Sequence, residues 1–137
     1  MKKTKSIKIL KGKKIWSSAK ADIEFSHFIR DRDKRKCFFC GKEGSQNSHF
    51  WGRNTSGTRY EPDNCDYVCG GCHMRHEANK QGLYREMKIK QLGQERYDEL
   101  RKIYYQGKIT RREAIQKCEK LICSMYGKTP IINIKRL

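Results

Sequence analysis

Two Cys-x-x-Cys pairs, Cys37/Cys40 and Cys69/Cys72, enclose a histidine, an asparagine and a second histidine at His49, Asn64 and His73. A two-residue spacer lets both sulfurs of a pair reach one metal, and two pairs complete a tetrahedron. The four thiols are therefore read as ligands of a structural Zn2+. Cys65 offers a competing pairing with Cys69 at i+4, which the matched spacings disfavour. Between the pairs, His49 is a candidate general base, because imidazole titrates near neutrality. Asn64 is a candidate anchor that holds its loop and aims His49. His73 and Glu77 stand at i, i+4, where one helix face could grip a catalytic divalent cation, Mg2+ or Mn2+. A base that activates water, beside a metal that stabilises a pentacoordinate phosphorane, is the equipment of a phosphodiester hydrolase. Arg53 and Arg59 are candidates to clamp the scissile phosphate.

The bulk composition points to the same substrate. The 137 residues carry 32 Lys+Arg against 15 Asp+Glu, a net charge of +17. Such a field attracts polyanions, and nucleic acid is the expected partner. An anionic membrane is not, since no long apolar run and no basic amphipathic helix with an aromatic face is found. The low apolar fraction of 36% predicts a modest core that a zinc knot would help to hold. Nothing resembling a signal peptide precedes the seven cysteines, so they read as metal ligands and core residues of a cytoplasmic protein.

The elements that must position these residues follow from period and punctuation. Residues 1–14 are expected to form a basic arm. Ser17 or Ser18 can cap a helix whose stripe is Ala21, Phe25, Phe28 and Ile29, flanked by Lys20, Glu24 and His27 and ending in a solvated charged run over 30–36. Cys37 to Gly44 is a turn in which Gly41 lets backbone amides fold towards the thiolates. Ser45 to Phe50 and Asp66 to Val68 are expected strands separated by a loop from Gly52 to Asn64. A helix is expected from near Cys72 to about Lys80. His76 and His27 are expected to be exposed or to touch phosphate. Beyond Gly82 the chain reads as helical, with breaks near Gly93 and Gly107. Tyr97, Leu100 and Tyr104 share one face. Thr110 and Glu113 form a capping box opening a helix whose apolar face is Ala114, Ile115, Cys118, Leu121, Ile122 and Met125, closed by Gly127 and Pro130. Cys118 and Cys123 fall on or near that face and read as core.

A strand-borne His, an Asn 15 positions later and a His 9 positions after that, inside a four-cysteine frame, resembles the HNH (ββα-metal) nucleases. The Phe25–Asp33 segment followed by Cys37-Phe38-Phe39-Cys40-Gly41 is similar to the opening of the phage NinG (Rap) recombination nucleases. Ser48-His49-Phe50, Arg59–Asn64, Cys69–Cys72, Gly82–Arg85 and Leu92–Arg96 continue in that family's order. The resemblance implies an α+β, mostly helical fold: a zinc-stabilised ββα-metal core flanked by N-terminal and C-terminal helices. One nuclease domain over 15–128 and a tail over 129–137 are expected. It implies His49 as general base, Asn64 as its orienter, His73 as a catalytic-metal ligand, and a DNA endonuclease, a phosphodiester hydrolase of the host cytoplasm. Branched or single-stranded recombination intermediates are the implied substrates, and a homodimer formed through the helical C-terminal third is compatible with them. Two positions depart from the pattern. Ser48 stands where many HNH nucleases carry Asp or His, and His73 stands where NinG sequences commonly carry Asn. The alternative function is a non-catalytic zinc-containing module that binds nucleic acid.

Overall fold

The structure, a computed structural model, describes residues 15–126. The arm over 1–14, the tail over 129–137 and the closing pair Gly127 and Pro130 lie outside the described residues. Helix α1 spans Ser18–Arg32, and Ser17 caps it by accepting from the Lys20 amide at 3.1 Å. Its Ala21, Phe25 and Ile29 are buried as the stripe predicts. Glu24, which flanks that stripe, is buried too. Helix α5, Arg111–Met125, lies over that flank and brings Cys118 and Cys123 close enough to feel the Glu24 charge.

The capping box of α5 is present: Thr110 Oγ1 accepts from the Glu113 amide at 3.0 Å, and Glu113 Oε1 from the Thr110 amide at 2.8 Å. Ala114, Ile115, Cys118 and Ile122 fill the core against α1. Met125 does not. It is 56% exposed, because Tyr126 takes the end of the stripe and reaches Asp31 at 3.0 Å.

The order strand, loop, strand, helix expected over 45–80 is observed, with shifted ends. Strand β1, Gln46–His49, pairs antiparallel with β2, Cys65–Val68, so that His49 faces Cys65 and Ser48 faces Asp66. The intervening loop ends in a short 3-10 turn at Pro62–Asn64. Helix α2 runs Gly70–Glu77 and stops short of Lys80, which begins a π-helical turn to Tyr84. Helices α3, Arg85–Leu92, and α4, Gln94–Gln106, follow, broken at Gly93 with φ +88°, a left-handed value that suits glycine. Tyr97 and Leu100 of α4 build a second core with Phe50, Trp51 and Tyr84, and Tyr104 packs at its margin.

Two polar clamps join these layers. Arg32, expected in a solvated helix end, instead donates to the carbonyls of Pro62 at 2.8 Å and Cys65 at 2.7 Å. The chain can turn back there because Lys34 and Arg35 adopt φ values of +54° and +61°. Behind β2, Lys88 and Asp66 are fully buried and paired at 3.1 Å. Gln91 and Tyr84 complete their hydrogen bonds, which a charge without water requires. Among the described residues no helix is long and apolar enough to cross a membrane.

Candidate functional site

The hairpin positions two distinct groups of side chains. At the end where Val68 passes into Cys69, the sulfurs of Cys37, Cys40, Cys69 and Cys72 all lie within 4.8 Å of one another. Cys40 and Cys69 are 3.9 Å apart. Four sulfurs at about 2.3 Å from one zinc would stand about 3.8 Å apart, so the set fits a tetrahedral ion. The amides of Phe39 and Cys72 each point at a cysteine sulfur at 3.4 Å, a polarity that favours thiolates. Gly41 has φ +76°, the left-handed turn that its place after Cys40 predicts. Cys65 is fully buried in the α1/α5 core and takes no part, and Cys118 is buried there as expected.

His49, at the other end, lines a cleft of about 390 Å³ that it shares with Asp22, Asn47 and Arg53 and that runs along the hairpin to Gln46 and His73 beside the thiols. The two predicted histidines thus open on one space. His49 Nε2 sits 3.0 Å from the Arg59 carbonyl. A carbonyl only accepts, so Nε2 carries the proton and Nδ1 holds the lone pair. Burial, with the Arg53 and Arg59 charges assisting, pushes the His49 pKa down to about 4. Its ring is therefore neutral at physiological pH because of desolvation. The expected titration near neutrality is replaced by a permanently available lone pair.

Asn64 is fully buried and does not line the cleft. Its Oδ1 accepts from the Trp51 amide at 2.8 Å, and its Nδ2 donates to the carbonyls of Trp51 at 2.9 Å and Thr58 at 3.0 Å. It staples both arms of the loop that carries the Arg59 carbonyl. His73 Nδ1 lies 2.7 Å from Gln46 Oε1, and its Nε2 lies 3.3 Å from Glu77 Oε1. The other Glu77 oxygen binds Lys80 at 3.1 Å, and Lys80 also donates to the His49 carbonyl at 2.9 Å. Among the described residues, only the thiols converge as three or more metal-ligating side chains.

The two arginines separate. Arg53 lines the cleft with its side chain 54% exposed, whereas Arg59 is turned away onto Asp22 at 2.7 Å. Asp22 also accepts from Tyr60 at 2.7 Å and from Arg53 at 3.3 Å. Burial raises its carboxyl, but the hydrogen bonds of Arg59 and Tyr60 and the nearby arginine charges outweigh this and hold it below the ordinary range. Ser48 is buried away from the cleft, 3.1 Å from the Tyr84 hydroxyl. His76 stacks on Phe39, ring centroids 4.1 Å apart.

Asp22, Gln46 and Lys80 are parts of this arrangement that the sequence does not flag. Their contacts with Tyr60, His73 and the His49 carbonyl span 27 to 38 residues, although Lys80 also pairs locally with Glu77.

No curated protein and no solved structure matches the chain. The family model described as Bacteriophage Lambda NinG protein matches residues 1–127, and the chain belongs to the NinG family.

Proposed function

We propose that the protein is a metal-dependent DNA endonuclease of the HNH type that hydrolyses phosphodiester bonds, with branched or single-stranded recombination intermediates as substrates. Membership of the NinG family points to a role in phage recombination. The observation that carries the catalytic reading is His49: its Nε2 is committed to the Arg59 carbonyl, and its neutral ring opens on the cleft it shares with His73.

In this reading His49 Nδ1 takes a proton from water as the water oxygen bonds to phosphorus. The bond from phosphorus to the leaving deoxyribose oxygen breaks, and its electron pair stays with that oxygen. Asn64 and Asp22 keep the 50–64 loop, and hence the Arg59 carbonyl, in place, so the reactive nitrogen needs no reorientation. Arg53 contributes positive charge at the mouth of the cleft. His73, Gln46 and Glu77 would hold the divalent cation, an oxygen-and-imidazole donor set suited to Mg2+ or Mn2+. When bound, that ion supplies Lewis-acid charge to a phosphate oxygen.

The second reading, a zinc-containing module that binds nucleic acid without cleaving it, is favoured by Ser48. The residue beside His49 is buried on Tyr84 and offers no ligand to the cleft. Both readings predict salt-sensitive binding, with a slope of about −0.9 per neutralised phosphate on duplex DNA. Cleavage separates them. The purified protein with Mg2+ or Mn2+ should nick DNA, and His49→Ala should abolish nicking while DNA binding and zinc content persist. Equal nicking by the variant would sink the assignment, and a panel of four-way, flapped, single-stranded and linear DNA would define the substrate.

A further inference from the structure

A second concavity, of about 250 Å³, lies between the π-helical turn and α4, and no step above uses it. Gln81, Arg85, Arg101 and Tyr105 line it, with Trp51 in its wall. The Arg85 guanidinium lies 5.8 Å from the Tyr97 ring centre, and that of Arg101 lies 6.0 Å from the Tyr105 ring centre. Neither arginine makes an ion pair among the described residues. Asp98, the carboxylate of this concavity, is occupied by the Gln94 amide at 2.9 Å. Tyr105 is 70% exposed, yet the edge-on Tyr104 ring at 4.9 Å steadies it.

We propose that this concavity binds an unpaired nucleotide of the DNA substrate, its base stacked on Tyr105 and its phosphate drawn to Arg85 and Arg101. An exposed aromatic face flanked by cations is how single strands are held without sequence preference, because every base has a π-face. Two guanidinium groups against the single Asp98 carboxylate leave the concavity net positive, which draws a phosphate to it. The place is apt. Trp51 follows His49 by two residues, and Lys80, next to Gln81, is bonded to the His49 carbonyl at 2.9 Å. A strand seated here would flank the segment lying in the His49 cleft. The inference rests on the reading of the protein as a DNA-cleaving enzyme and identifies which element recognises unpaired DNA.

The test titrates the full chain, in the non-cleaving His49→Ala form, with a labelled single-stranded oligonucleotide and with a duplex of equal length. Tyr105→Ala should weaken single-strand binding about 10-fold, within the range that base–aromatic stacking supplies. Tyr105→Phe should retain it, and duplex affinity should stay within about 2-fold of the parent. Arg101→Ala should weaken single-strand binding and lower its salt slope by about 1. An abasic oligonucleotide should bind the parent no better than the natural one binds Tyr105→Ala. Undiminished single-strand binding by Tyr105→Ala, or equal binding of abasic and natural strands, overturns this inference alone. Failure of the parent to bind any DNA overturns the nuclease reading with it.

Discussion

At one end of the β1–β2 hairpin four thiols converge within 4.8 Å; at the other, hydrogen bonds between the loop that follows His49 and the Asn64 and Asp22 side chains tie it down. The thiol end is built from one residue type at local spacing, and without an ion it brings four ionisable sulfurs together for little return. The loop end uses a fully buried amide and a partly exposed carboxylate, and both of these side chains find their partners among protein groups. The difference assigns the ends separate tasks. With zinc bound, one would store folding free energy in the metal, and the other fixes a carbonyl, and through it a tautomer, without one.

That contrast can be broken in order of effect. Removing zinc by chelation, or substituting Cys37→Ser, should lose on the order of 10 kcal/mol, comparable to the whole stability of a domain this size. Loss of the cooperative melt by circular dichroism, with zinc release measured in parallel, would show it. An unchanged melt would mean that the thiols are not the metal anchor. His49→Ala should lower the nicking rate by about 10²- to 10⁴-fold while DNA binding and zinc content persist.

Asn64→Ala strands buried backbone groups of Trp51 and Thr58 and should cost about 3 kcal/mol in urea denaturation. Zinc content should stay complete, since the anchor lies at the other end of the hairpin. A smaller effect is expected from pH. The folded-state pKa of His49, about 4, lies below the ordinary value of 6.5, so the folded protein binds fewer protons between them. Stability should be full above about 6.5 and decline as pH falls towards 4, and His49→Gln should flatten that limb of the pH–stability curve. Asp22→Asn should change stability least, by up to about 1 kcal/mol, because its pairs are partly exposed. Its signature should be a fall in kcat with KM nearly constant, together with a mixed tautomer of His49 in nitrogen NMR shifts.

The features legible in the chain are those whose partners are close in sequence. Cys-x-x-Cys, the Thr110/Glu113 box and the Gly41 and Gly93 turns each carry their reason within a few residues. The hairpin was legible in order but not in its ends, since strands of four residues leave little pattern to count. Burial across the fold was not legible. Glu24 merely flanks the apolar stripe in sequence yet is fully buried, and Arg32 reads as a charged helix end although its donors meet Pro62 and Cys65. The same holds for His49. Its type and interval marked it as a base, whereas its depressed pKa depends on residues packed around it from elsewhere in the chain. Arg59 shows the limit most plainly: loop position suggested phosphate, but Asp22, 37 residues earlier, claims its side chain.

The packing of α5 on α1 also sets an order of events during synthesis. Cys118 reaches the Ala21 carbonyl across 97 residues, and Ile122 completes the core under the helix that bears Asp22. The thiols are all present once Cys72 has been made, so metal can be captured while the last helix is still on the ribosome. The support behind Asp22 cannot form until about 50 further residues have been added, a few seconds of elongation at about 5–20 residues per second. A nascent chain would therefore hold its complete set of thiols, and both ties of the His49 loop, before α5 backs the helix that bears Asp22.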